Sequence, residues 1–143
     1  MTVKAILDAK GRDVVTIAAD STLGEAAALL AERRIGAVVV MDGDGRIGGI
    51  LSERDIVRAI AQDGAAALQN PISAAMTARV RTCRESHTVN EVMQIMTQGR
   101  FRHLPVEKDG RLGGIVSIGD VVKRRIQEVE REAEEIRTYI ATA

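Results

Sequence analysis

Thirteen residues written twice constrain this chain more than any other feature. GRIGGILSERDIV (residues 45 to 57) and GRLGGIVSIGDVV (110 to 122) are identical at eight of thirteen positions, and most of the others exchange one apolar residue for another. The offset is 65 residues here and 66 upstream, where VVTIAADSTLGEAAALL (14 to 30) faces VRTCRESHTVNEVMQIM (80 to 96) and IGAVVV (35 to 40) faces FRHLPV (101 to 106). One additional residue in the first copy's DGDG turn accounts for the change. A period of this length in 143 residues means two copies of one supersecondary unit. Neither copy, at about 60 residues, buries much surface alone, so the two are expected to pack as one pseudo-symmetric body.

Both copies predict the same elements in the same order. A short strand (14 to 17; 80 to 83) leads to Thr22-x-x-Glu25 or Thr88-x-x-Glu91, a capping box that opens a helix with apolar residues at helical spacing. A second strand (37 to 41; 103 to 107), an Asp/Gly turn and a third strand (47 to 51; 112 to 116) form a hairpin. Ser52 and Ser117 then begin a second helix. The expected boundaries are 1–62 for repeat one, 63–76 for a linker, 77–126 for repeat two and 127–143 for a helical extension. That extension carries Val122, Ile126, Val129, Ala133, Ile136 and Ile140 at 4-3-4-3-4 spacing, a narrow apolar seam that suits either packing in cis or a contact with another chain. Ion pairs Arg124 with Glu128 and Arg131 with Glu135 are expected to support it.

Composition removes several function classes. Twenty basic residues balance twenty acidic ones, so no overall field is present to hold nucleic acid or an anionic membrane. No apolar run reaches the ~18 residues of a membrane span, and MTVKAILDAKGRD lacks the long apolar core of a signal peptide. A single cysteine, Cys83, rules out an intramolecular disulfide and a Cys-rich zinc site, and suits a reducing cytoplasm. Cys83 aligns with Ile17 in a strand, which predicts a core thiol. DGDGRIGGILSE has acids at positions 1, 3 and 12 of a calcium loop, but Ile47 replaces the glycine that position 6 requires, so a hairpin turn is expected there. His87 and His103 have no metal-ligand spacing, and no nucleophile stands beside a base. Neither a catalytic residue nor a metal site is predicted.

The paired G-h-h-S-x-x-D motifs (h for apolar), with RHLPV ahead of the second, resemble the CBS domain, named from cystathionine β-synthase. Two such repeats make a CBS pair, or Bateman module, and the resemblance runs from about Ala5 to Ile126. It implies an α+β fold in which two pseudo-symmetric β-α-β-β-α repeats pack sheet to sheet, here with a long C-terminal helix. It further implies a cytoplasmic, non-enzymatic regulatory protein that binds an adenine nucleotide. AMP leads, with ATP, ADP or a dinucleotide such as NAD as other candidates. A disc-like homodimer or larger homo-oligomer and an unidentified regulated protein are the implied partners, with no nucleic acid and no membrane. The alternative is a ligand-free interaction module assembling through its CBS discs and C-terminal helix.

Ser117-x-x-Asp120 and Ser52-x-x-Asp55 carry two readings. Each is a helix capping box by pattern, although the Asp is shorter than the Glu of the T-x-x-E boxes. Each Asp also suits two adjacent ribose hydroxyls beside a helix N-terminus that favours phosphate. By resemblance, Arg102 and His103 face the phosphates at the Asp120 site, whereas repeat one has only Gly36 and Ala37 there. The family's placement of adenine across the pair carries over to Val14, Ile35 and Gly36 for the Asp120 site, and to Val80 and Phe101 for the Asp55 site. Arg54 is the phosphate candidate at the latter. Unequal halves predict a stronger site at Asp120 and a weak or empty one at Asp55. Gly48-Gly49 and Gly113-Gly114 suit either close backbone approach or plain hairpin geometry.

Overall fold

Local signals hold along most of the chain. In the computed structural model, which describes residues 1 to 142, the first copy forms α1 (Val3–Lys10), β1 (Thr16–Ala18), α2 (Leu23–Arg33), β2 (Ala37–Met41), β3 (Ile47–Ser52) and α3 (Glu53–Asp63). Two 3-10 turns, Gly64–Gln69 and Ile72–Ala74, lead to α4 (Val89–Gly99), β4 (His103–Lys108), β5 (Arg111–Ser117) and α5 (Ile118–Thr142). The fold is α+β with two small sheets, one of three strands in the order β1-β2-β3 and one of β4 and β5. Asp109 and Gly110 both have positive φ at the β4–β5 turn, the conformation a two-residue hairpin loop requires. In the longer first turn, the Asp42 carboxylate accepts from the Asp44 and Arg46 N–H groups, and β2 and β3 pair antiparallel as the expected hairpin.

The strand expected at 80 to 83 shrinks to one parallel bridge between Cys83 and Val106. In the first copy Val39 donates its N–H to Val15. Pro105 stands at the matching position and has no N–H to give, so the pairing stops there.

Two compact units result, and they do not follow the repeats along the chain. Residues 13 to 81 with 108 to 112 form the unit containing Asp55, while residues 1 to 12, 82 to 107 and 113 onward form the unit containing Asp120. Residues 1 to 12 therefore fold with the elements of the second copy, and residues 63 to 81, the lead-in to the second copy, fold with the first. Matching backbone bonds fix both. Val3 donates to the His87 carbonyl at 2.9 Å and Val89 to Met1 at 3.0 Å; Ile72 donates to Ser21 at 2.8 Å and Leu23 to Asn70 at 2.9 Å. Each lead-in thus satisfies the first free N–H of a helix, α4 or α2.

Burial follows from this exchange. The Asp120 unit buries Val3, Ile6 and Leu7, the i, i+3, i+4 face of α1, with Val92, Met96, Leu104, Val106, Val116 and Val121. At ~1.5–3 kcal/mol for each fully buried aliphatic side chain, α1 contributes a substantial part of that core. Arg12 adds exposed bonds to Asp8 and Glu85. The Asp55 unit packs Leu23, Ala26, Leu30, Val38, Val40, Leu51, Ile56 and Ile72.

The second glycine of each pair answers the close-approach question. A Cβ on Gly114 would lie 2.9 Å from both Leu7 methyl carbons, and one on Gly49 would lie 2.7 Å from Met76 Sδ and 2.9 Å from the Thr77 carbonyl oxygen. At Gly49 the neighbouring atom is backbone and close packing requires glycine, whereas at Gly114 the neighbours are the ends of a side chain. Gly48 instead borders the register shift between Val40 and Met41, a bulge in the first hairpin.

α5 runs beyond its own unit's core. Val121 is buried, but the seam residues Val122, Ile126, Val129, Ile136 and Ile140 are exposed, so the seam does not fold back on its own unit. Arg131 pairs with Glu135 as expected, whereas Glu128 pairs with Arg125 and the Met1 amino group, and Arg124 bonds the Ala5 carbonyl.

Candidate functional site

Two strand-to-helix junctions carry the motif residues. At the start of α5, the Asp120 carboxylate accepts from the Ser117 N–H at 2.9 Å while the Asp120 N–H donates to the Ser117 hydroxyl oxygen at 3.2 Å. At the start of α3, Asp55 Oδ2 accepts from the Ser52 N–H at 2.9 Å, and Asp55 N–H donates to the Ser52 hydroxyl oxygen at 3.3 Å. Both are closed capping boxes. Aspartate's shorter side chain reaches across, so its length does not argue against the capping reading.

The strand entrances are held against these junctions by equivalent bonds. Ile118 donates its N–H to the Arg102 carbonyl at 2.8 Å, and Glu53 donates to the Gly36 carbonyl at 2.9 Å. Arg102 and His103 are thereby fixed by their backbone beside Ser117 and Asp120. The Arg102 side chain is exposed and His103 is half-buried.

At the Asp120 junction the structure adds a residue that sequence reasoning missed. Lys10, the last residue of α1, donates from Nζ to Asp120 Oδ2 at 2.7 Å and to the Ile115 carbonyl at 2.9 Å. Side-chain exposures of 35% and 26% place this ion pair partly out of water. Burial works to raise the Asp120 pKa, but the Lys10 bond and the Ser117 N–H outweigh it and hold the carboxyl below its ordinary value. The junction thus sets the Asp120 carboxylate and the Lys10 ammonium near the strand entrance that carries Arg102 and His103. The apolar spacing of Val3, Ile6 and Leu7 marks α1 as amphipathic, but no local signal says which repeat it joins.

The Asp55 junction differs in chemistry. Ser52 directs its hydroxyl as well as its N–H to Asp55 Oδ2, and the closest basic group is Arg58 at 3.9 Å from Oδ1. Arg54 is exposed. Ile35 and Gly36 line a groove of about 500 Å³ in this same unit, with Leu30, Glu53, Ile56 and Val57. Val14 and Val80 are half-buried in that unit, so Val14, Ile35 and Gly36 lie in a different unit from Asp120. Phe101 belongs to the Asp120 unit, where its ring packs against Gly99 and the core.

Several residues have purely structural environments. Cys83 is buried, and burial pushes its thiol pKa up to about 12, which makes it an inert core thiol. The His87 Nδ1 accepts from the Arg84 N–H at 2.8 Å and shapes the turn before α4. No group of potential metal ligands occurs among the described residues, and no described helix is long and apolar enough to cross a membrane.

A family model described as the CBS domain matches residues 3–62 and 72–126. Among solved structures, the CBS-domain containing protein ATU1752 from Agrobacterium tumefaciens is 57% identical with a TM-score of 0.85, covering 87% of this chain and 92% of that one. The CBS domain pair of MJ0100, in complex with 5'-methylthioadenosine and S-adenosyl-L-methionine, is 28% identical with a TM-score of 0.80, covering 90% and 98%. The CBS domain protein PAE2072 from Pyrobaculum aerophilum, complexed with AMP, is 30% identical with a TM-score of 0.75, covering 84% and 89%.

Proposed function

Because the chain belongs to the CBS domain family, we propose that it is a regulatory CBS-pair protein that binds an adenine nucleotide, AMP foremost, at the junction of Ser117 and Asp120. The observation that carries this is the bond from the Ile118 N–H to the Arg102 carbonyl, which holds a basic strand entrance beside the motif aspartate. In this assignment Asp120 accepts from the ribose hydroxyls, and Arg102 and His103 meet the phosphate. Val14, Ile35 and Gly36 are the adenine positions implied by the family resemblance. Similar proteins carry AMP in one case and 5'-methylthioadenosine with S-adenosyl-L-methionine in another, which supports an adenosine-containing ligand.

The Asp55 junction, with Ser52, Arg54, Val80 and Phe101, is assigned the weaker site. Its entrance offers Gly36 and Ala37 where the other offers Arg102 and His103. The proposed role is non-catalytic and cytoplasmic, with ligand binding shifting the protein toward whichever arrangement holds the ligand better.

Self-association is the second part of the reading. Val57 and Ile60 on α3 and the seam of α5 are exposed large apolar residues, a combination that favours covering by a second copy. Isothermal titration with AMP, followed by the same titration on Asp120→Ala, tests the ligand assignment. Stoichiometric binding by the native chain and its loss in the variant are expected; unchanged affinity in a folded variant overturns the ribose role of Asp120.

A further inference from the structure

Asp120 is already engaged. Lys10 reaches it from α1 through an ammonium 2.7 Å from Oδ2, and the same ammonium is held by the Ile115 carbonyl. The Ser117 N–H also bonds Oδ2, so both fixed donors crowd one carboxylate oxygen. The other aspartate has no such partner, since Asp55 takes its bonds from Ser52 with Arg58 at 3.9 Å.

We propose that Lys10 sets the charge selectivity of the Asp120 site: ribose hydroxyls draw Asp120 away from the Lys10 ammonium, which then pairs with an anionic 5'-phosphate. This rests on the nucleotide reading above and extends it from a ligand class to a discriminating residue.

The physical case is one of exchange. Lys10 loses a charge-assisted hydrogen bond when a ligand competes for Asp120. An uncharged nucleoside gives the ammonium nothing in return, so its binding bears that loss in full. A nucleoside 5'-phosphate supplies a stronger anionic partner within the range of a flexible four-carbon stem. A cationic sulfonium at the 5' position adds repulsion from Lys10 and the neighbouring Arg102. The site therefore favours phosphorylated nucleosides over thioether or sulfonium analogues with the same adenine and ribose.

Calorimetric titration of the full chain with AMP and with 5'-methylthioadenosine separates the outcomes. The native chain is expected to bind AMP at least roughly 10-fold more tightly. Lys10→Met is expected to weaken AMP by roughly 10-fold while leaving 5'-methylthioadenosine equal or tighter, and Lys10→Arg to keep the native preference. Should Lys10→Met not fold, Lys10→Gln, which is uncharged but keeps a donor, carries the same comparison. An unchanged AMP-to-methylthioadenosine ratio in the uncharged variant overturns the role of Lys10 while leaving the nucleotide reading intact. A native chain that binds neither ligand overturns that reading and this inference with it.

Discussion

Leu7 occupies the space that a side chain on Gly114 would need: a Cβ there would meet both Leu7 methyl carbons at 2.9 Å. The equivalent relationship in the other unit sets Gly49 against Met76 and the Thr77 backbone. These two contacts differ in what can yield. Leu7 presents the end of a side chain, whereas the Thr77 carbonyl is fixed by its reciprocal bonds with Ile50. Gly114→Ala should therefore cost about 1 kcal/mol and Gly49→Ala about 2–3 kcal/mol, within the range for overpacking. Urea denaturation of both variants checks the order, and equal losses would contradict it.

Asp120 also predicts a pH dependence. Its folded pKa is lowered, so its contribution to stability is fully present above the unfolded value of about 4 and is lost as pH falls through the folded value. Replacing it with Ala removes the capping box and the Lys10 pair, at a cost of about 1–2 kcal/mol near neutrality. The difference between native and Asp120→Ala proteins should be largest at pH 7 and should shrink below about pH 4. Denaturation midpoints across that range provide the measurement.

Cys83 should resist thiol reagents in the native state. With its pKa near 12, only about one thiol in ten thousand is ionised at pH 8, and the sulfur is buried. A chromogenic disulfide should label it only after denaturant is added. Rapid labelling of the folded protein would show that the core opens readily around β4.

The exposed seam of α5 predicts self-association. Ile126 is 53% exposed and Ile136 60%, on a helix that extends past its own core. Deleting residues 127 to 143, or combining Ile126→Glu with Ile136→Glu, should lower the mass found by light scattering. An unchanged mass would remove the seam from the assembly.

Features read correctly from the sequence were those decided locally. Thr88 and Glu91 close their capping box, and Asp109-Gly110 makes its two-residue turn. The repeat located both Ser-x-x-Asp junctions because its register fixes equivalent positions independently of structure. Three features differ from the sequence reading for specific physical reasons. The length of aspartate suggests a poor cap, yet both carboxylates reach the serine N–H at 2.9 Å across one helical turn. Lys10 escaped notice because its partner lies 110 residues away, and no spacing rule spans that separation. Pro105 was visible in the sequence, but its effect depended on knowing which strand would seek its absent N–H.

The exchanged lead-ins also bear on how the protein is made. Residues 1 to 12 leave the ribosome well before residues 82 to 107 and the start of α5, with which they form one unit. The Asp55 unit, drawn mostly from one continuous stretch, can begin to assemble while the rest is still being translated. Val3, Ile6 and Leu7 must meanwhile remain without their core until residues 83 to 121 have emerged, a delay that leaves an amphipathic segment open to chaperones and makes the Asp120 unit the later of the two to mature.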